Sequence, residues 1–449
     1  MAQQKMKILW IYPELPYPLT SGYLRGFHLL RLMGHRHAVT FLCLTKEKRI
    51  PRETVLALKQ YAKRIAIFRT CSAPKPKWFR MFALTPILGW RLQEVLDTRW
   101  AVHQMKKYVR SLLQHERFDV VLFHGRQALP VLDGIEAPIV VDCGDTNCTR
   151  LLQEMRQARF LLRPRLFFRY ARERRLEGKL AGITAHRCFI SERDRENLLG
   201  TSDGSEIVPQ GVDYDYWRRS LPPSRRNCIV FSGVMSYHPN AEAALFLLDS
   251  ILPLVRKVCP RLEILIVGRN PSSELIKVAK RYSDVTVTGA VDDVRPYLER
   301  ADVFVASLRF ASGVQNKVLE ALAMEVPVVT TPIVAAGLRV DGIEPPLVIG
   351  RNAEEIAACI VRLLANSEER AHLSTEGRRF VEAHCSWSRS AEKLEKLCRA
   401  AAESHRLQQE SGRCRLFEVE PPKTENTGPV PVTADSLIGL DRAPTVSIW

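Results

Sequence analysis

Short apolar runs alternate with helix-length segments along most of this chain, and that alternation constrains its fold more than any other feature. Runs at 8–11, 38–44, 65–68, 120–123 and 139–142 read as strands, and apolar spacing predicts a helix over 25–33. Strand alternating with helix implies a parallel, doubly wound sheet, which binds ligands at the carboxyl ends of its strands. A second series of strands starts at 229–233 and continues at 264–268, 285–289 and 345–349, with a helix over 354–365. At 449 residues the chain is too long for one ordinary domain and suits two.

The stretch 304–338 carries the most chemistry. An apolar strand runs into Ala311-Ser312-Gly313, a helix follows with Lys317 and Glu320 in its first turns, and a strand starting at Pro327 ends in Thr330-Thr331. A glycine loop at a helix start leaves backbone N–H groups for an anion. A Lys one turn in can meet a diphosphate. A carboxylate beyond it can accept hydrogen bonds from two ribose hydroxyls. The same residues also describe an ordinary strand–loop–helix, so at this point both readings stand.

This stretch resembles the nucleotide-sugar half of retaining glycosyltransferases of family 4, which have the GT-B fold. Their motif has a Glu, seven residues, a second Glu, then Ala-Met-Ala, Pro-Val-Val and a Gly-containing loop. Glu320 with Ala321-Leu322-Ala323, Pro327-Val328-Val329, Thr331 and Gly337 fit it, while Ser312 stands where the first Glu would be. The core Gln315 to Ala321 is similar to that of sugar transferases associated with PEP-CTERM exopolysaccharide systems. The resemblance runs from Met6 to about Arg399. It implies two Rossmann-like domains facing a cleft. Residues 1–212 would bind the acceptor and residues 213–387 the nucleotide sugar. A helix over 388–403 would pack back on the first domain, with a polar, Pro-rich tail over 404–449 read as disordered.

The resemblance also implies roles for single residues. Gly22, of the pair Ser21-Gly22, would approach the donor diphosphate, although Ser21 can equally cap a helix. His124, directly after a strand, would sit beside the donor sugar. The Arg and Lys that relatives carry after the first strand of the second domain are missing from Gly233-Val234-Met235-Ser236, so Arg309 and Lys317 are expected to supply those charges. Gly313 and Glu320 would bind substrate. Asp142 and Asp145 follow another strand and could bind an acceptor hydroxyl or cap the next helix. Capping is expected for Asp145, and Asp142 is kept as a substrate-binding candidate. Asp292-Asp293 is read as a base-contacting loop, and neither a cofactor nor a metal is expected.

The charge balance, 66 Lys plus Arg against 49 Asp plus Glu, admits nucleic acid, an anionic membrane or phosphate-rich substrates as partners. No nucleic-acid-binding motif accompanies it. Arginines interleave with Phe160, Leu161, Leu162, Phe167 and Phe168, and a second basic-aromatic patch spans 75–82. Such segments suit a bilayer surface, or else the aromatics fill a core and the arginines form a solvated face. No apolar run approaches the ~20 residues a spanning helix needs. The eleven cysteines lack zinc-site spacing and read as reduced core thiols. The expected protein is a cytoplasmic, peripherally membrane-bound hexosyltransferase using a nucleotide sugar and a glycan or lipid-linked acceptor. The alternatives are a nucleotide-sugar epimerase of the same fold and a catalytically silent partner in polysaccharide assembly.

Overall fold

The computed structural model describes residues 4–17, 24–71, 86–158, 160–200, 205–220, 227–416 and 447–448. Gly22 and the patch at 75–82 lie outside them. The strands are β1 (Lys7–Tyr12), β2 (Ala38–Thr45), β3 (Arg64–Arg69), β4 (Val120–His124), β5 (Ile139–Asp142), β6 (Arg187–Phe189) and β7 (Glu206–Ile207). They continue as β8 (Cys228–Ser232), β9 (Glu263–Val267), β10 (Val285–Gly289), β11 (Val303–Ala306), β12 (Val328–Thr330), β13 (Val348–Ile349) and β14 (Ser447–Ile448). Among the described residues they form two sheets, in the orders β14-β3-β2-β1-β4-β5-β6-β7 and β10-β9-β8-β11-β12-β13. Apart from β14, which runs antiparallel to β3, the recorded pairings are parallel.

The chain divides into two compact units, residues 1–140 with 396–449, and residues 141–395. In the first unit Lys7 pairs with Ala38 and Ile8 with Val120, which places β1 between β2 and β4. A sheet covered on both faces buries both sides of each strand, which is why KILWIY and AVTFLCLT read as nearly continuous apolar runs. Trp10, Phe41, Phe68 and Phe123 are enclosed, and Trp10 meets Phe41 edge-on with centroids 5.9 Å apart. The helix expected over 388–403 spans Trp387–Leu416, so it continues past the point where the tail was expected to begin. Its residues from Lys396 on belong to the first unit, where Arg399 donates to the Gln4 carbonyl at 3.0 Å.

In the second unit the core gathers around β8, β9 and β11, with Phe231 and Phe304 enclosed. Each such side chain contributes about 1.5–3 kcal/mol by leaving water. The basic-aromatic segment also lies here and does not fill a core. Phe160, Leu161 and Phe168 are 81%, 86% and 72% exposed, while Leu166 turns inward. No described helix is long and apolar enough to cross a membrane.

Candidate functional site

Chain order reverses between β8 and β11 in the six-stranded sheet. At such a point the flanking loops diverge, and the crevice at the strand ends is where doubly wound sheets take ligands. The loop beginning at Gly233 flanks it on one side. On the other is the loop after β11, which leads into the helix Asn316–Ala323. That helix buries Val318, Leu319, Ala321, Leu322 and Ala323. Lys317 and Glu320, one turn apart, are left half-buried on a shared face.

The Lys317 ammonium donates to the Asn240 side-chain oxygen and lies over the Phe231 ring, 5.2 Å from its centroid. A Cβ at Gly233 would stand 3.2 Å from that ammonium and 2.7 Å from the Asn240 amide nitrogen, so a larger residue would crowd both. Burial pushes Lys317 down to about 7 against the pull of Glu320, and pushes Glu320 up to about 7 against the pull of Lys317. Both groups therefore exchange protons near neutrality. Asn240, missed in the sequence reading, belongs to the helix His238–Phe246 and lies 77 residues from Lys317 in the chain.

The glycine loop differs from its expected form. Gly313 has φ +58°, as a glycine at a tight turn allows, but its N–H is not left for an anion. It donates to Asp194 at 3.1 Å, and its carbonyl accepts from Arg193 at 2.8 Å. Asp194 is fully buried and also accepts from Thr146 at 2.9 Å and Ser191 at 2.7 Å. Gln153 accepts from the Ala311 N–H at 2.8 Å. A Cβ on Gly337 would come within 2.5 Å of the Gly313 carbonyl, so Gly337 is needed for this close approach. The loop is held rigidly by side chains that no local sequence pattern would indicate.

Neither aspartate takes the role expected of it. Asp142 is 3% exposed and accepts from the Gly144 N–H at 3.1 Å, so its carboxylate closes its own turn instead of facing a ligand. The following helix, Asn147–Gln157, is capped not by Asp145 but by Glu177, which accepts from the N–H groups of Asn147 and Cys148 at 2.7 and 3.2 Å. Asp145 is exposed, and it accepts from the Ser312 hydroxyl at 3.1 Å.

Arg309 follows β11, but its guanidinium pairs with Glu242 at 2.6 Å through Nε and lies over Phe246. Asn240 and Glu242 are two residues apart on one helix and so face different ways. Lys317, not Arg309, is the cation against Gly233. Beyond β10, residues 290–293 with Pro296, Tyr297 and Arg300 line a cavity of about 530 Å³. Asp293 there is bound by Arg295 at 2.7 Å, which holds its carboxyl below the usual range.

In the first unit the corresponding reversal falls between β1 and β4. His124 ends β4 and stacks on Tyr12 at the end of β1, with ring centroids 4.8 Å apart. Glu14 belongs to the same rim. Burial pushes its carboxyl up, opposed by the nearby charges of His124 and Lys46. The sequence reading had not picked out Glu14, since an isolated Glu in a Pro-rich loop carries no pattern.

Residues 226–366 match the family model described as glycosyl transferases group 1. No curated protein sequence matches the chain significantly. Among solved structures, HepE of Anabaena in complex with UDP and glucose is 13% identical with a TM-score of 0.57, covering 89% of this chain and 99% of its own. A glycosyltransferase of Rickettsia africae is 14% identical with a TM-score of 0.61, covering 88% and 98%. WaaG, a glycosyltransferase involved in lipopolysaccharide biosynthesis, is 13% identical with a TM-score of 0.57, covering 87% and 99%. At these identities the likeness establishes architecture: two Rossmann-like parallel sheets arranged as the GT-B fold. The crevice holding Gly233, Lys317 and Glu320 falls within residues 226–366, the segment that matches the glycosyl transferases group 1 model, in a chain of GT-B fold.

Proposed function

We propose that this chain is a retaining hexosyltransferase that moves a sugar from a nucleotide-sugar donor to a polysaccharide or lipid-linked acceptor, in exopolysaccharide synthesis of the PEP-CTERM-associated kind. One observation carries the reading: Lys317 and Glu320 share one helix face beside Gly233, at the reversal point of the sheet. The complex of HepE with UDP and glucose supports a donor of this class. Lys317 takes the charge of the diphosphate, and Arg309 adds a second cation by leaving its exposed pair with Glu242, a pair of a kind worth at most about 1 kcal/mol. Glu320 accepts the ribose hydroxyls. The loop at 290–293 receives the base through its backbone.

During transfer the bond from the anomeric carbon to the phosphate oxygen breaks. The acceptor oxygen bonds to that carbon on the same face, the nucleoside diphosphate departs, and the acceptor proton is released. The residues act by electrostatic stabilisation of the leaving diphosphate, with no metal or cofactor required. His124 steadies the transferring sugar, Gly22 approaches the diphosphate, and residues 1–212 receive the acceptor.

The enzyme works in the cytoplasm on the inner face of the cytoplasmic membrane. Exposed Phe160, Leu161, Phe167 and Phe168 among Arg163, Arg165 and Arg169 support this location, since apolar side chains enter the interface while arginines meet anionic headgroups. The test of activity is to incubate the full chain with nucleotide sugars and a membrane-lipid extract. Nucleoside diphosphate release should depend on the extract, and nuclear magnetic resonance should show the donor's anomeric configuration in the product. Conversion of the sugar without any acceptor would instead indicate an epimerase.

A further inference from the structure

We infer that Asp145, seated on Ser312, recognises the sugar half of the donor and sets which sugar is transferred; this rests on the reading of the Lys317–Glu320 crevice as a nucleotide-sugar site. Three observations lead there. Asp145 is an exposed carboxylate, relieved of the capping role by Glu177 and anchored on one side by the Ser312 hydroxyl at 3.1 Å. It therefore keeps acceptor lone pairs toward solvent while its position is fixed. It stands against the turn that opens the Lys317 helix, since a Cβ on Gly313 would lie 2.7 Å from the Cβ of Asp145. Polar groups that suit a polyhydroxylated ligand surround it. The Tyr237 side chain, 41% exposed, interacts with Arg150, Asp145 and Ser312, and Arg150 is itself held by Glu154 at 2.9 Å.

A nucleotide lying with its ribose on Glu320 and its diphosphate at Lys317 has only the sugar left to place. The loop bearing Ser312, with Asp145 against it, leads directly into the helix that carries Lys317 and Glu320. A carboxylate accepting hydrogen bonds from two neighbouring hydroxyls is a discriminator, because a sugar lacking one of them forfeits a charge-assisted hydrogen bond. All of these residues lie in one compact unit.

The experiment compares Asp145→Asn, nearly isosteric, with wild type and Glu320→Gln by calorimetry. The probes are UDP, GDP and ADP together with their glucose, galactose and mannose conjugates. A wild-type chain should bind one conjugate with an affinity distinct from that of its nucleoside diphosphate. Asp145→Asn should keep the nucleoside diphosphate affinity and lose about tenfold or more for the conjugate. Glu320→Gln should weaken both together. A residue that only supported the loop would move both affinities in Asp145→Asn, and that outcome would overturn the proposal. Retention of the full conjugate affinity would also overturn it. If no nucleotide of any kind binds the wild-type chain, the reading of the crevice itself falls.

Discussion

At the scale of single residues, the Lys317–Glu320 pair costs the unliganded chain stability near neutral pH. Glu320 rises from 4.5 to about 7, so across that window the folded chain holds a proton that the unfolded chain has lost. Stability therefore falls as pH rises from 4.5 to 7. Lys317 drops from 10.5 to about 7, so the unfolded chain holds the extra proton and stability recovers as pH rises from 7 to 10.5. Thermal unfolding of Glu320→Gln should exceed that of wild type by a margin that widens from pH 4.5 to 7; a constant margin would contradict the burial argument. A bound diphosphate should return the proton to Lys317. Calorimetry at pH 8 in buffers of different ionisation enthalpy should then show proton uptake on nucleotide binding. His124→Ala should lower kcat more than it raises KM if, as proposed, its interaction is made with the reacting sugar and not with the nucleotide. Lys317 and Glu320 could be singled out because they fall within one short motif, whereas Gly313, in the same motif, has its N–H taken by Asp194. Asp145 was not: it meets Ser312 across 167 residues, and no local spacing encodes such a pairing.

At the scale of elements, the loop 311–313 depends on the helix Glu192–Leu199, whose first-turn Asp194, held by the N-cap Ser191, reaches across to it. Asp194→Ala leaves the Gly313 N–H and the Thr146 hydroxyl without their buried acceptor. Denaturant unfolding should show a loss of about 2–4 kcal/mol, because unmet buried donors carry their full desolvation cost. The helix Arg163–Ala181 makes the opposite case, with apolar residues turned outward at its start. Sedimentation with anionic vesicles should occur, weaken with salt and drop when Arg163, Arg165 and Arg169 become Glu. Equal binding to neutral vesicles would remove the electrostatic part of that account. The sequence pattern alone could not decide whether these aromatics face inward or outward, because an amphipathic period is the same for both. Exposure decided it.

At the scale of the whole molecule, the two parallel sheets were readable from the alternation of strand and helix. The central pairs, β1 beside β4 and β8 beside β11, were not, because strand order is a tertiary fact. Those pairs matter most, since each reversal gathers residues that the chain keeps far apart. The segment that matches the group 1 glycosyltransferase model lies around the second of them. The central claim is that this crevice binds a nucleotide through the Glu320 carboxylate. Calorimetric titration of wild type and Glu320→Gln with UDP, GDP and ADP tests it directly. The account predicts that one nucleotide binds the wild-type chain and that its affinity falls about tenfold or more in the variant, with the fold intact. Equal affinity in the two proteins would contradict it.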